Sequence, residues 1–164
     1  MSAIPDPDTT DSPTGWWDES GAVIWDVWYH TDDEDLDPPE NCIFVKTYTT
    51  APHFPSEPPG GMRAVERCVE DDIASGVMYN VGDINPPYAP ETKYRRNYKQ
   101  ARRFKCKMIN SGTVDINAGD PVTVGPNGRC KLLDATAIAA GARKEGSAER
   151  DIPVGKAGIL YIND

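Results

Sequence analysis

The chain has 164 residues, 15 of them Pro and 14 Gly, with a mass of 18.0 kDa and a formal net charge of -9. So many Pro and Gly argue against a long helical bundle, and no apolar run is long enough to cross a membrane as a helix. A pI near 4.7 excludes a globally basic nucleic-acid binder, and no signal peptide is expected, because no charged start leads into an apolar core.

The charge is unevenly laid out. Residues 1–60 hold 13 acids and one base, Lys46, and residues 61–90 five acids and two bases. Residues 91–131 hold three acids and ten bases, and residues 132–164 five acids and four bases. An acidic part and a basic part on one molecule favour patch-to-patch contacts. The competing reading is that each charged run simply solvates a loop.

Residues 1–15 are rich in Pro, Asp, Ser and Thr and read as a flexible arm that a partner would have to order. All four tryptophans follow within thirteen positions: Trp16, Trp17, Trp25 and Trp28. In residues 22–29, Trp25 and Val27 share one strand parity while Ile24, Asp26 and Trp28 share the other. A strand here is therefore expected to be covered on both faces. The alternative is an anchor that docks on a partner, since Trp is enriched at binding hot spots. Residues 31–41 read as an acidic loop, and residues 42–49 as a strand with Ile43, Val45, Thr47 and Thr49 on one side. Residues 51–61 and 82–92 read as Pro-rich loops. Between them, Met62, Val65, Val69 and Ile73 at helical spacing predict a short helix over 62–74, although Asp71 and Asp72 near its end oppose the helix dipole.

The last third changes character. Phe104, Cys106 and Met108 alternate with Lys105 and Lys107, as in a strand with one wet face. Short apolar runs then recur between turn signals, with Asn127-Gly128 the strongest hairpin signal in the chain. The expected fold is mainly β: a small β-barrel or β-sandwich over 101–164, preceded by a Trp-rich β/loop region over 16–100, with an extended N-terminal arm and long Pro-rich loops.

No nucleophile motif, phosphate loop or dinucleotide fingerprint occurs, and His30 and His53 read as structural or solvated. Cys42, Cys68, Cys106 and Cys130 lack paired metal-ligand spacing and read as buried free thiols, with disulfides left open by the even count. Asp33, Asp35 and Asp37 match the start of a calcium loop, but Pro38 and Phe44 occupy its sixth and twelfth positions, so a solvated acidic loop is expected, with a weak divalent site of another kind as the alternative. The run from Lys93 to Lys105 interleaves Arg95, Arg96, Arg102 and Arg103 with aromatics, as a single-strand nucleic-acid surface does. Pairing with the acidic half of the chain, or with an acidic protein, is the favoured reading because the net charge opposes polyanions.

Ile116-Asn117-Ala118-Gly119-Asp120-Pro121-Val122-Thr123-Val124, Gly128-Arg129-Cys130-Lys131, Ala137-Ile138-Ala139-Ala140-Gly141-Ala142 and Ile152-Pro153-Val154 carry a resemblance. Over about residues 104–162 the chain resembles the head-decoration, or cement, proteins of tailed bacteriophages. That resemblance implies a non-enzymatic virion protein, without metal or cofactor, that forms a homotrimer on the outer capsid. It would bind the major capsid protein and stabilise contacts between capsomers; no membrane contact is expected, and the net charge disfavours nucleic acid. Assembly would take place in the host cytoplasm.

In this scheme residues 1–30 lie extended over a capsid or sister subunit. Trp16, Trp17, Trp25 and Trp28 are the apolar anchors, and Arg95, Arg96, Arg102 and Arg103 pair with acidic surfaces. Removing residues 1–20 is then expected to lower capsid occupancy while leaving the C-terminal β domain folded. Other readings are a tail, fibre or head-completion protein, a β-sandwich adaptor, or an enzyme acting on carbohydrate or nucleotide.

Overall fold

The computed structural model describes residues 16–30, 42–48, 64–80 and 94–163, and of residues 80 and 94–97 the backbone alone. The arm at 1–15, the acidic run at 31–41 with its calcium reading, the Pro-rich stretches at 51–61 and 82–92, and His53 lie outside the described residues.

The fold is mainly β. Its strands are β1 (Trp17–Asp18), β2 (Val23–His30), β3 (Ile43–Thr47), β4 (Ala64–Arg67), β5 (Gly76–Asn80), β6 (Tyr94–Arg102), β7 (Phe104–Ile109), β8 (Pro121–Val124), β9 (Cys130–Leu132), β10 (Gly146–Ala148) and β11 (Ala157–Ile162). A short α-helix, α1 (Ala135–Ala139), follows β9, capped by the Asp134 carboxylate, which accepts the Ala137 N–H.

Strands β2 to β6 close a five-stranded barrel in the order β2-β4-β3-β5-β6, with β2 and β4 parallel and every other pair antiparallel. The other six strands form an antiparallel sheet in the order β1-β7-β11-β10-β8-β9. A bridge from Asn110, just past β7, to Cys130 on β9 curls that sheet back on itself. The chain passes from barrel to sheet across one residue, Arg103, whose φ of 53° is left-handed.

The closed barrel thus falls in the region expected to be strand and loop, and the region expected to be a barrel forms the curled sheet. Strand β1 crosses that boundary, because Trp17 and Asp18 pair with Cys106 and Lys105 on β7.

Parity explains the barrel walls. On β3, Ile43 and Val45 join Val27, Tyr29, Val65, Met78 and Tyr98 in one core, while Phe44 joins the larger one. On β5, Met78 faces the first core, and Val77 and Tyr79 face the second. That larger core lies between barrel and sheet: Phe44, Tyr79 and Ala101 from the barrel meet Trp17, Phe104, Met108, Val122 and Leu160 from the sheet. The Tyr79 ring is 5.1 Å from Phe104 and 5.0 Å from Trp17. β2 is covered on both faces as expected, with Val27, Trp28 and Tyr29 all buried.

Two expectations change. Residues 64–74 are not helical: β4 ends at Arg67, and Asp71 has a φ of 69°, which breaks any helix. Val69 and Ile73, half of the supposed apolar stripe, are 61% and 54% exposed. The wet face of β7 is also only half wet, since Lys107 is 1% exposed whereas Lys105 reaches solvent and pairs with Glu149 at 2.6 Å.

Candidate functional site

The residues singled out as interface anchors do not share one surface. Trp17 is buried against Tyr79 in the main core, and Trp28 is buried in a small cluster with Tyr48 and Ala64. Trp16 is half-buried, and its carbonyl accepts the Lys107 N–H at 3.0 Å. Trp25 is half-buried under the Arg102 guanidinium, 5.9 Å from the ring centroid. The apolar area that would have served a partner is, for Trp17 and Trp28, spent inside the chain itself. Arg95 and Arg96 lie on β6, where the backbone alone is described, and Arg103 is exposed at the crossing from barrel to sheet.

Among the described residues of the basic run, Lys99, Arg102 and Lys105 are engaged within the molecule. β2 and β6 are antiparallel neighbours, and Lys99 reaches Asp26 across them at 2.7 Å. Arg102 Nε donates to Ser75 O at 2.6 Å. The pairing of acidic and basic parts anticipated from the charge layout therefore occurs here between adjacent strands.

A different set of residues converges on one exposed end of the sheet, built from residues 113–119 and 149–156. Ile116 and Ile152 exchange both backbone hydrogen bonds, at 3.1 and 2.7 Å, and both are fully buried. Beneath them Asn110 is likewise fully buried. Its Nδ2 donates to Val114 O and Ile152 O, both at 2.9 Å, and its Oδ1 accepts the Gly112 N–H at 3.0 Å. Its backbone also ties in Gly155 and Lys156. Three carboxylates take loop N–H groups: Asp115 from Val154, Asp120 from Asn117 and Asp151 from Ala118, at 2.8–2.9 Å. Loops of this kind are ordinarily the mobile part of a domain. Here side chain to backbone bonds fix them in place.

Outward from this scaffold point Val114 and Val154, 46% and 43% exposed, with Ala118 and Pro153 also exposed. Two of the motif segments named above, 116–120 and 152–154, meet at this end. A rigid, mixed apolar and polar surface of this type is suited to protein docking, because little ordering entropy remains to be lost on contact.

The junction between barrel and sheet is a second convergence. The turn after β8 seats on the barrel: Asn127 and Gly128 have φ of 62° and 74°, and Arg67 Nη1 donates to Asn127 O at 2.9 Å. A Cβ on Gly128 would sit 3.0 Å from both Arg67 Cγ and Phe44 O. Lys131 Nζ lies 2.7 Å from Glu70 and from Asp71, and Lys46 pairs with Asp72 at 2.8 Å, which raises the Lys46 pKa. Glu145, 6% exposed, accepts the Ala74 N–H at 2.9 Å, and Arg143 approaches both Glu145 (3.3 Å) and Ala74 O (3.2 Å). Burial pushes the Glu145 carboxyl above the usual range, because the Ala74 N–H and the Arg143 charge only partly offset desolvation.

All four cysteines are free and buried, as expected. Burial pushes the Cys130 thiol up to about 12 and those of Cys68 and Cys106 well above the usual range, so these sulfurs stay protonated and unreactive at neutral pH. His30 is buried and stacks on Tyr48 at 3.8 Å. Sequence reasoning did not find Asn110, Arg143 or Glu145. Only Asn110, a polar residue just past an apolar alternating run, left a trace there.

No protein-family model and no curated protein matches this chain.

Proposed function

We propose that the chain is a capsid decoration protein, which binds the major capsid protein on the outer surface of a tailed-phage virion and strengthens contacts between capsomers. The observation that carries this reading is the meeting of segments 116–120 and 152–154, both part of the resemblance, at one rigid exposed end of the sheet. A docking surface of fixed shape gives each copy a modest affinity without an ordering penalty, and many copies on a symmetric lattice add their effects. The mainly β fold with its curled C-terminal sheet agrees with the small β architecture that the resemblance implies.

In this mechanism the loop end, rather than the tryptophans, meets the capsid. Val114 and Val154 supply apolar contact, and the exposed backbone of 117–119 supplies hydrogen-bonding groups. Association as a homotrimer at a lattice point would bring three such ends together.

The test is to mix the purified protein with expanded, undecorated capsids of the virus that encodes it and to image the particles. Density at regular lattice positions, with the loop end against the capsid, is expected. Bare capsids at saturating protein would refute the reading, and density confined to the tail or portal would favour a tail or head-completion role.

A further inference from the structure

The Ala74 peptide is held from both sides across the junction. Its N–H donates to the Glu145 carboxylate and its carbonyl accepts from Arg143, two residues of the sheet-side segment that leads into β10. Ala74 itself belongs to the connection between β4 and β5 of the barrel. This clamp lines a small recess with Phe44, Ser75, Arg102 and Asn163, at the junction of barrel and sheet. Other hydrogen bonds concentrate beside it: Gln100 Nε2 and Arg102 Nε both donate to Ser75 O, at 2.8 and 2.6 Å.

We propose that Glu145 is a pH-responsive latch between the barrel and the six-stranded sheet, which favours the closed junction when neutral and favours opening when ionised.

The charged and titratable groups around it come from four elements. Arg143 lies beside it, Arg102 approaches from β6, and Cys68 comes from the β4–β5 connection, where Asp72 neighbours Cys68 in turn. Lys46 comes from β3 and is already paired with Asp72. The two guanidiniums favour the ionised carboxylate, yet burial outweighs them. Opening the junction would admit water to the carboxylate and return it to an ordinary glutamate environment. The closed state therefore binds a proton more tightly than the open one. By linkage, opening becomes easier as pH rises from the ordinary glutamate value to the raised one, and levels off above it. Each unit between those two values is a tenfold change in the opening equilibrium.

Hydrogen exchange at the Ala74 amide of the full chain, followed from pH about 4 to about 8, reads this directly. After correction for intrinsic exchange, the opening constant of Ala74 is expected to rise about threefold or more across the acidic range and then plateau. The Leu160 amide in β11 is expected to stay flat, and Glu145→Gln is expected to abolish the Ala74 rise. A flat Ala74 profile in the unaltered chain, a parallel rise at Leu160, or a rise that survives Glu145→Gln would each overturn the latch. Should Glu145→Gln fail to fold, carboxyl NMR of the unaltered chain decides. A Glu145 midpoint above that of the glutamates in the urea-unfolded chain supports the latch, and one at or below it overturns the latch.

Discussion

Asn110 has no exposed surface, yet its side chain organises the most exposed end of the sheet. Two carbonyls and one N–H bond to it; loss of the amide takes the side-chain partner from Val114 O and the Gly112 N–H, and leaves Ile152 O with the Ile116 N–H alone. Asn110→Ala is predicted to lower stability by about 2–4 kcal/mol, since each stranded buried group costs about 1–3 kcal/mol and some recover water. Urea unfolding measures the loss, and faster exchange at the Gly112 and Val154 amides would locate it at the loop end. Asn110→Asp keeps an acceptor for Gly112 but faces two carbonyls with a carboxylate, so at neutral pH it is predicted to be worse than Ala. Single residues were readable from sequence where their type determines their fate. The four thiols read as buried, and the alternating Val27 and Trp28 read as covered on both faces. Asn110 and Glu145 were not readable, because one decisive partner of each, Ile152 and Ala74, lies 42 and 71 positions away, and only the topology brings them together.

Among the elements, the hairpin of β8 and β9 was the easiest to read and the helix at 62–74 the hardest. Asn127-Gly128 forms a left-handed turn that few other pairs adopt without strain, so the local signal carries the result. Residues 64–74 matched a helical period by coincidence. Val65 enters the barrel as part of β4, while Asp71 and Asp72 are drawn into ion pairs with Lys131 and Lys46 that a helix would not present. The same hairpin tip is what docks on the barrel, so Gly128 serves two purposes. Gly128→Ala must place a side chain at positive φ and against the Phe44 carbonyl. It is predicted to lower stability by about 2 kcal/mol, of which about 1–2 is the left-handed backbone cost. Thermal unfolding checks the size. Asn127→Gly, which relieves positive φ without adding a group, is predicted to be close to neutral or slightly stabilising.

For the whole molecule, the charge layout was informative in sign and incomplete in geometry. The acidic first part and the basic stretch do meet, as Lys99 with Asp26, because β2 and β6 are neighbours in the barrel. The chain crosses from barrel to sheet at Arg103, and the core is shared across that crossing. Barrel and sheet are therefore predicted to unfold in one transition, with fluorescence and circular dichroism midpoints that coincide.

The shared core also corrects the expectation for N-terminal truncation. Removal of residues 1–15 leaves β1 intact and is predicted to preserve the melting midpoint within a few degrees. Removal of residues 1–20 takes Trp17 from the core and is predicted to cost about 3–5 kcal/mol, the range for deleting a large aromatic. Any loss of capsid binding in the longer truncation would then reflect unfolding, so the shorter one is the proper test of the arm.

The central claim is that the rigid loop end of the sheet docks on the capsid, and the most direct measurement compares capsid occupancy of the unaltered chain with that of a Val114→Asp, Val154→Asp double variant. Both positions are exposed, so the variant is expected to fold with an unchanged melting midpoint. Its apparent affinity for undecorated capsids, measured by co-sedimentation and imaging, is predicted to fall about tenfold or more, as expected for loss of roughly 1.4 kcal/mol of contact energy. A folded double variant that decorates capsids as fully as the unaltered chain would contradict the account.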